Sequence, residues 1–224
     1  MNENEAGDAT MPGYPIELDL RGKPALVVGL GAVGRRKASG LLAAGARVLG
    51  VDPGQGGWDA PEGIEVRAEA YRAEHLHRVV LAWAAATEEV NRQVVADARR
   101  LGVWVGSASA PGDGDFTLPA VHRDGPLTLT VSTGGASPAL AAALRDRAAS
   151  SLGPAASGLA ALLIELRPEV LARLPDPARR RRVLTDWADP RWLDLWQTEG
   201  ADVVRRRLIE ALDRMTSLPD GDPP

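Results

Sequence analysis

Residues 24–52 read PALVVGLGAVGRRKASGLLAAGARVLGVD. The apolar run at 25–28 is followed by three closely spaced glycines, a helical pattern over 33–44 and a second apolar run at 48–51. Short apolar runs on either side of a helical segment are typical of two parallel β-strands joined by an α-helix. The segment therefore predicts one β-α-β unit, with the glycines in the turn between the first strand and the helix.

The turn after the first strand has the spacing Gly-x-Gly-x-x-Gly. Its residues are Gly29, Leu30, Gly31, Ala32, Val33 and Gly34. Gly29 permits the tight turn, Gly31 has no Cβ and lets a pyrophosphate approach the backbone, and Gly34 lets the helix pack closely on the sheet. Free amides at the start of a helix attract phosphate, so the turn predicts a dinucleotide site.

An acidic residue follows the second predicted strand. Asp52 lies eighteen positions after Gly34, where a carboxylate accepts hydrogen bonds from a ribose diol and repels a 2′-phosphate. This residue favours NAD over NADP. The alternative is a tight strand–helix joint that binds no ligand. Besides the turn itself, the expected cofactor contacts are Asp52, Pro53 and Thr87.

Strands and helices continue to alternate after Asp52. The predicted strands are 64–67, 79–83 and 103–107, and the predicted helices are 72–78 and 88–101. Thr87 is expected to cap the second of these helices and Gly102 to end it. This alternation predicts an α/β fold, a Rossmann-type parallel sheet covered by helices on both faces.

The pattern changes near residues 112–114. Residues 116–121 and 127–132 predict a hairpin, with the turn at 122–126, and Ser137-Pro138 begins a helical region. The predicted helices are 138–151, 154–174, one that begins at Asp176-Pro177, and 201–215. The predicted organisation is a disordered tail at 1–13, a Rossmann domain at 14–113, a small strand-containing element at 114–150, a helical C-terminal domain at 151–218 and a disordered tail at 219–224.

Composition excludes several classes of protein. Hydrophobic residues make up 45% and charged residues 25%, and no run approaches the roughly eighteen apolar residues of a membrane span. The net charge of -4 argues against nucleic acid as a partner, and the absence of cysteine excludes disulfides and thiolate metal sites. The acidic, polar residues 1–13 do not resemble a signal peptide. We expect a cytoplasmic protein with no membrane partner.

Two histidines were considered as metal ligands. His75 and His77 lie two positions apart on a predicted short helix, so they point to different faces and make a poor metal pair. We interpret both as surface residues and predict no resident metal site.

Several segments outside the glycine turn resemble one family. They are YPIELDLRGK at 14–23, GRRKA at 34–38, AAT at 85–87 with Asn91, FTLPA at 116–120 and VSTGGASPAL at 131–140. On these segments the sequence resembles the precorrin-2 dehydrogenase and sirohydrochlorin ferrochelatase family, which includes the N-terminal region of siroheme synthase. The resemblance runs from about residue 14 to residue 215, and the STGGASP block is much more specific than the glycine turn.

The resemblance implies NAD-dependent oxidation of precorrin-2 to sirohydrochlorin, in some members followed by insertion of ferrous iron to give sirohaem. It also implies a homodimer, in which the element at 114–150 serves dimerisation. A glycine-rich turn before a helix presents amides to an anion, which suggests binding of the tetrapyrrole's carboxylates; a simple helix cap is the alternative. The candidate substrate-binding residues are Ser132, Thr133, Gly134, Gly135 and Ser137.

The sequence departs from the family pattern after the fifth strand. The family typically carries an asparagine and, three positions on, an aspartate that is the proposed general base; here these positions are Gly106 and Ser109. A neutral hydroxyl is a much poorer base than a carboxylate, so we expect ferrochelatase activity to be weak or absent. Asp113 and Asp115 are nearby substitutes, although turn aspartates of this kind are usually structural.

Two functional hypotheses follow from this departure. The first is an NAD-dependent precorrin-2 dehydrogenase in which water accepts the proton and Ser109 occupies the catalytic position. The second is a non-catalytic protein that binds NAD or a tetrapyrrole on the same scaffold.

Overall fold

A computed structural model describes residues 13–54, 58–109 and 111–217. The tails predicted at 1–13 and 219–224 lie outside the described residues, apart from Gly13. The chain forms two compact units that divide between Leu118 and Pro119, five residues after the boundary predicted at 113. The regions predicted as separate domains at 114–150 and 151–218 fall largely within the second unit, because one helix packs on both the hairpin and the other helices. The three-part division stays a prediction.

The first unit is built on a five-stranded parallel sheet with the order β3-β2-β1-β4-β5. Its strands are β1 (Pro24–Val28), β2 (Arg47–Val51), β3 (Ile64–Arg67), β4 (Leu81–Ala84) and β5 (Trp104–Ser107). Its α-helices are α1 (Ala32–Ala43) and α2 (Glu88–Leu101). The predicted Rossmann-type sheet is confirmed.

Alternation along β1 divides the core of this unit into two layers. Leu26 and Val28 join the cluster that includes side chains of α2, whereas Ala25 and Val27 join the cluster that includes Ala38 of α1. Strands buried on both faces are expected in a parallel sheet covered by helices. Burial of a side chain such as Leu26 contributes about 2 kcal/mol, and these layers fix β1 and the turn that follows it.

Both predicted end signals of α2 are confirmed. The side-chain oxygen of Thr87 accepts a hydrogen bond from the backbone N–H of Val90, and Gly102 adopts φ 68° and ψ 25°. Glycine adopts this left-handed conformation at little energetic cost, so the helix ends there. Strand β4 begins at Leu81, two residues later than predicted.

The interpretation of His75 as a surface residue is wrong. It lies in a 3-10 turn (Ala73–Leu76) with 5% of its surface exposed, and its Nδ1 accepts a hydrogen bond from the backbone N–H of Arg72. The ring proton therefore lies on Nε2 and is donated to Glu69 over 3.0 Å. This bond is the main reason why the pKa of Glu69 is lowered. His75 is a satisfied structural residue, while His77 is exposed as predicted.

The second unit begins with an antiparallel hairpin of β6 (Ala120–Asp124) and β7 (Leu127–Val131). The strand predicted at 116–121 is displaced, because residues 122–124 extend β6 instead of forming the turn. The turn is the two-residue loop Gly125-Pro126, and Gly125 has φ 51°. A positive φ at the first position suits the right-handed twist of a tight hairpin.

Four helices complete the second unit. They are α3 (Pro138–Arg173), α4 (Pro177–Trp187), α5 (Arg191–Glu199) and α6 (Ala201–Ser217). The helices predicted at 138–151 and 154–174 are joined as α3, which is interrupted at Gly153, where φ is 62° and ψ is -177°. Helix α5 was not predicted. Together the helices bury a core centred on Trp187 and Leu208.

Helix α3 is long and apolar enough to cross a membrane when length and composition alone are considered. The core helix of a globular protein passes the same test, and α3 carries Leu162, Leu166 and Val170 into the core of its unit. In the part of α3 before Gly153, Leu140 and Leu144 are about half exposed.

Candidate functional site

The glycine turn lies at the carboxyl end of β1, in the middle of the parallel sheet. Gly29 has φ 89°, and its N–H donates to the carbonyl of Val51 over 2.9 Å. A Cβ added to Gly34 would lie 1.7 Å from the carbonyl oxygen of Gly29, so α1 can approach the turn only with glycine at that position. The roles predicted for Gly29 and Gly34 agree with this geometry.

Gly31 differs from the other two glycines, since a Cβ built on it meets no atom within 4 Å. Gly31, Ala32 and Val33 are exposed at the start of α1, and no side chain caps this helix end. The first amides of a helix have no partner within it and favour an anion. The turn therefore offers open space and hydrogen-bond donors where a pyrophosphate would bind, and the residues present fit a dinucleotide.

Asp52 is joined directly to the turn. One of its carboxylate oxygens accepts a hydrogen bond from the backbone N–H of Leu30 over 2.7 Å, and the other accepts from Gly54 over 2.8 Å. Each oxygen retains a lone pair for a ribose hydroxyl. The buried Leu30 side chain is fixed in turn by the closely packed Gly50. Asp52 thus shapes the turn besides standing at the position predicted for ribose recognition.

Two residues near the turn were not assigned a role from the sequence. Arg35 donates from Nε to the carbonyl oxygen of Leu30 over 2.8 Å, and its guanidinium lies 5.0 Å from the ring centroid of Trp58. Together they brace the turn from the side of the loop after β2. The sequence gives little indication of this contact, because Trp58 lies in a Gly- and Pro-rich loop, and the course of such a loop cannot be predicted from hydrophobic periodicity.

The loop after β4 contacts the turn from the other side. A Cβ on Gly29 would lie 2.4 Å from the carbonyl oxygen of Ala85, so the two loops touch through their backbones. Thr87 caps α2 with its hydroxyl oxygen, and a contact between Thr87 and the cofactor stays a prediction, as does one from the exposed Pro53.

Ser109 follows β5 and is exposed at the neighbouring loop. Its hydroxyl oxygen accepts a hydrogen bond from the side-chain amide of Asn91 over 2.8 Å. Asn91 is 2% exposed and also bonds both the N–H and the carbonyl oxygen of Ala86. The structure thus joins Ala86 of the Ala-Ala-Thr segment and Asn91 to Ser109, which lies eighteen residues after Asn91.

Gly106 faces a tryptophan that fills the space beside it. A Cβ on Gly106 would lie 2.3 Å from Cζ3 of Trp83 and 3.0 Å from Cζ of Phe116. The two rings pack with centroids 5.4 Å apart, and Lys37 covers the Trp83 ring at 4.1 Å, where burial lowers the pKa of the lysine. The asparagine expected from the family pattern therefore has no room in this chain.

The two aspartates considered as substitutes have different surroundings. One carboxylate oxygen of Asp115 accepts from the backbone N–H of Val105 over 3.0 Å, and the other lies 3.5 Å from Nε of Arg99. Asp115 thus stabilises the middle of β5, which is a structural role. Asp113 has an exposed side chain, and its carbonyl oxygen accepts from Arg99 over 2.6 Å. Across residues 13–54, 58–109 and 111–217, no group of three or more His, Asp or Glu side chains could hold a metal ion.

The Ser132–Ser137 loop lies in the second unit and is held by its own hydroxyls. Thr133 accepts from the N–H of Ser137 and donates to its carbonyl oxygen, while Ser137 caps α3 by accepting from Leu140 over 3.1 Å. Ser132 accepts from the N–H of Gly134 over 3.3 Å. This geometry agrees with a helix cap. Binding of substrate by Ser132, Thr133, Gly134, Gly135 and Ser137 stays a prediction.

Family models match most of the first unit and the start of the second. Residues 16–120 match a family described as putative NAD(P)-binding. Residues 124–150, which include β7 and the first part of α3, match a family described as sirohaem biosynthesis protein, central.

Curated relatives are siroheme synthases of several bacteria. The protein of Gluconacetobacter diazotrophicus is 35% identical over 81% of this chain and 41% of its own length. That of Nitrosospira multiformis is 37% identical over 75% and 38%, and that of Methylococcus capsulatus is 35% identical over 91% and 44%. The chain therefore spans about two fifths of the length of these relatives.

Among solved structures, a precorrin-2 dehydrogenase, SirC, matches 90% of this chain and 100% of its own length, with 26% identity and a TM-score of 0.69. The parallel sheet, the open glycine turn and Asp52 define an NAD-binding protein of the Rossmann class. Residues 16–120 and 124–150 carry the matched NAD(P)-binding and sirohaem-biosynthesis families, and the chain is similar to siroheme synthases and to a precorrin-2 dehydrogenase.

Proposed function

We propose that the protein is an NAD-dependent precorrin-2 dehydrogenase, which oxidises precorrin-2 to sirohydrochlorin in siroheme biosynthesis. The observation that carries the proposal is the open turn at Gly31, braced by Asp52, in a chain that matches the sirohaem-biosynthesis family. A carboxylate at the ribose position favours NAD over NADP.

The sheet order supports a division of the cofactor between the two sides of the turn. Asp52 follows β2 on one side of β1, and the loops that end at Thr87 and Ser109 follow β4 and β5 on the other. Ligands of open α/β sheets bind across the carboxyl ends of the strands, so the second pair of loops borders the nicotinamide half of the cofactor. When bound, NAD supplies the acceptor for the hydride that leaves precorrin-2.

This chain's residues contribute mainly binding and placement. The amides at the start of α1 bind the pyrophosphate, and Asp52 binds the adenosine ribose. Ser109 is neutral and a poor base, but it is exposed, so water can reach it and accept the proton released on oxidation. Placement of the donor carbon against the nicotinamide accounts for much of the rate of such enzymes. We propose weak or absent ferrochelatase activity, because no carboxylate occupies position 109.

We further propose a cytoplasmic homodimer in which residues 114–150 form the dimerisation element. In the part of the chain that the structure describes, β6 and β7 form a two-stranded sheet that packs on α3, and its unpaired strand edges are a template for pairing with a second copy. Leu140 and Leu144, one turn apart on α3, are 50% and 42% exposed. Leu144→Lys is expected to shift the sedimenting mass from dimer to monomer, whereas Leu101→Lys, at an exposed apolar residue of α2, leaves it unchanged. A monomeric parent protein would contradict the proposal.

Because Ser109 replaces the family aspartate, a non-catalytic protein on the same scaffold is the alternative function. A turnover experiment distinguishes it from the dehydrogenase. The purified protein is incubated with precorrin-2 and NAD, and NADH and the tetrapyrrole spectrum are followed together. We expect turnover well above the uncatalysed rate. Binding of NAD without any such turnover would favour the non-catalytic alternative.

A further inference from the structure

Asn91 is a buried polar side chain whose orientation is fixed by its surroundings. Its Oδ1 accepts from the backbone N–H of Ala86 over 2.8 Å, and its Nδ2 donates to the carbonyl oxygen of the same residue over 3.2 Å. A backbone N–H can only donate and a carbonyl can only accept, so the amide cannot be turned around. Nδ2 must therefore also face Ser109, which lies 2.8 Å away.

The direction of this last bond determines what Ser109 can do. The hydroxyl oxygen accepts from Asn91, so its own proton is not used in that bond and remains available to another acceptor. Ser109 is exposed, and it lies two residues after the end of β5, beside the proposed nicotinamide half of the cofactor. The hydroxyl of Ser109 is thus oriented to donate its proton in a hydrogen bond.

We infer that Asn91 is a positioning residue that holds Ser109 as a hydrogen-bond donor to a carboxylate of the tetrapyrrole substrate. The inference rests on the proposed function for the identity of the substrate. Position 109 then serves substrate binding in this chain, whereas the aspartate of the family pattern would act there as a base. Asn91 joins the loops after β4 and β5, and it does so through one residue of each.

The same contacts separate the effect on substrate from the effect on cofactor. Asn91→Asp retains an acceptor for the N–H of Ala86 but presents a second acceptor to Ser109, which then donates its proton inward. The N–H of Ala86 keeps its acceptor at position 91, and only the longer bond, to the carbonyl oxygen of Ala86, is lost from the loop that touches Gly29. The substitution is therefore expected to weaken substrate binding and to leave the KM for NAD within about twofold.

A double-mutant cycle with Ser109→Ala tests the inference. Loss of a hydrogen bond to a charged group corresponds to about tenfold or more in affinity, so each single variant is expected to raise the KM for precorrin-2 about tenfold. The double variant is expected to match the single ones, because both act on one interaction. Gln93→Glu, the same chemical change at an exposed position of α2, is the control and leaves both KM values unchanged.

Additive effects in the cycle, or an unchanged KM for precorrin-2 in Asn91→Asp, would overturn the inference. If the parent protein shows no turnover, the proposed function fails, and the same cycle is measured in the affinity for sirohydrochlorin. If Asn91→Asp does not fold, the side-chain amide resonances of Asn91 in the parent protein report the bond. They are expected to shift on Ser109→Ala, and unshifted resonances would contradict the bond.

Discussion

Asp52 accepts a hydrogen bond from the backbone N–H of Leu30 over 2.7 Å and so connects the end of β2 to the glycine turn. The carboxylate holds the turn and also stands at the position predicted for ribose recognition. Hydrogen bonds to a charged group contribute about 1.5–3 kcal/mol. Asp52→Asn is therefore expected to raise the KM for NAD at least about tenfold and to reduce the preference for NAD over NADP.

The control for this substitution is Asp59→Asn, the same change at an exposed residue of the loop after β2. Steady-state KM values for NAD and NADP measure both variants. An unchanged KM for NAD in Asp52→Asn would mean that this carboxylate does not contact the cofactor.

Gly31→Ala tests whether the open space in the turn belongs to the cofactor. A Cβ meets nothing within 4 Å at Gly31 or at Gly40, which lies within α1. We expect both alanine variants to fold, and Gly40→Ala to be stabilised by up to about 1 kcal/mol because glycine is unfavourable inside a helix. Only Gly31→Ala is expected to lose NAD binding. Calorimetric titration with NAD and thermal unfolding distinguish the two, and normal NAD binding by Gly31→Ala would place the pyrophosphate elsewhere.

Gly106 and Trp83 form a matched pair. Gly106→Ala places a Cβ within 2.5 Å of two ring atoms of Trp83, and overpacking of this kind costs about 1–3 kcal/mol. In a Trp83→Leu background the same substitution is expected to cost much less. Denaturant unfolding of the parent protein, the two single variants and the double variant measures the difference, and an equal cost in both backgrounds would show that the ring is not the obstacle.

Ser109→Asp restores the carboxylate of the family pattern. Because the amide of Asn91 already points at position 109, it can donate to that carboxylate and favour its ionised form. At saturating substrate we expect faster oxidation of precorrin-2 and, more clearly, insertion of iron or cobalt into sirohydrochlorin, while the KM for precorrin-2 rises because the hydroxyl donor of Ser109 is lost. Rates equal to those of the parent protein would mean that the base lies elsewhere or is unnecessary.

Local signals predicted much of the fold. The apolar runs, the glycine turn and the caps at Thr87 and Ser137 depend on residues a few positions apart, and each is confirmed. Helix α5 was not predicted because its N-cap is Pro190, whose side chain makes no capping hydrogen bond. The strand predicted at 116–121 began too early because apolar residues precede the hairpin without pairing in it.

The site was harder to predict, because its decisive contacts join distant parts of the chain. Asn91 and Ser109 are eighteen residues apart, and Trp83 meets Gly106 only through the register of β4 on β5. His75 was interpreted as a surface residue because it lies two positions from His77 on a predicted short helix, yet Glu69 and the backbone of Arg72 form hydrogen bonds with its buried ring. Hydrophobic periodicity in the sequence does not indicate which of these residues are in contact.

One measurement tests the proposed dehydrogenase most directly: the ratio of NADH to sirohydrochlorin formed from precorrin-2 with oxygen excluded, so that NAD is the sole oxidant. The dehydrogenase is expected to form one NADH for each sirohydrochlorin, and Gly31→Ala to form neither above the uncatalysed rate. Sirohydrochlorin formed without NADH, or no product from the parent protein although NAD is bound, would contradict NAD-dependent oxidation.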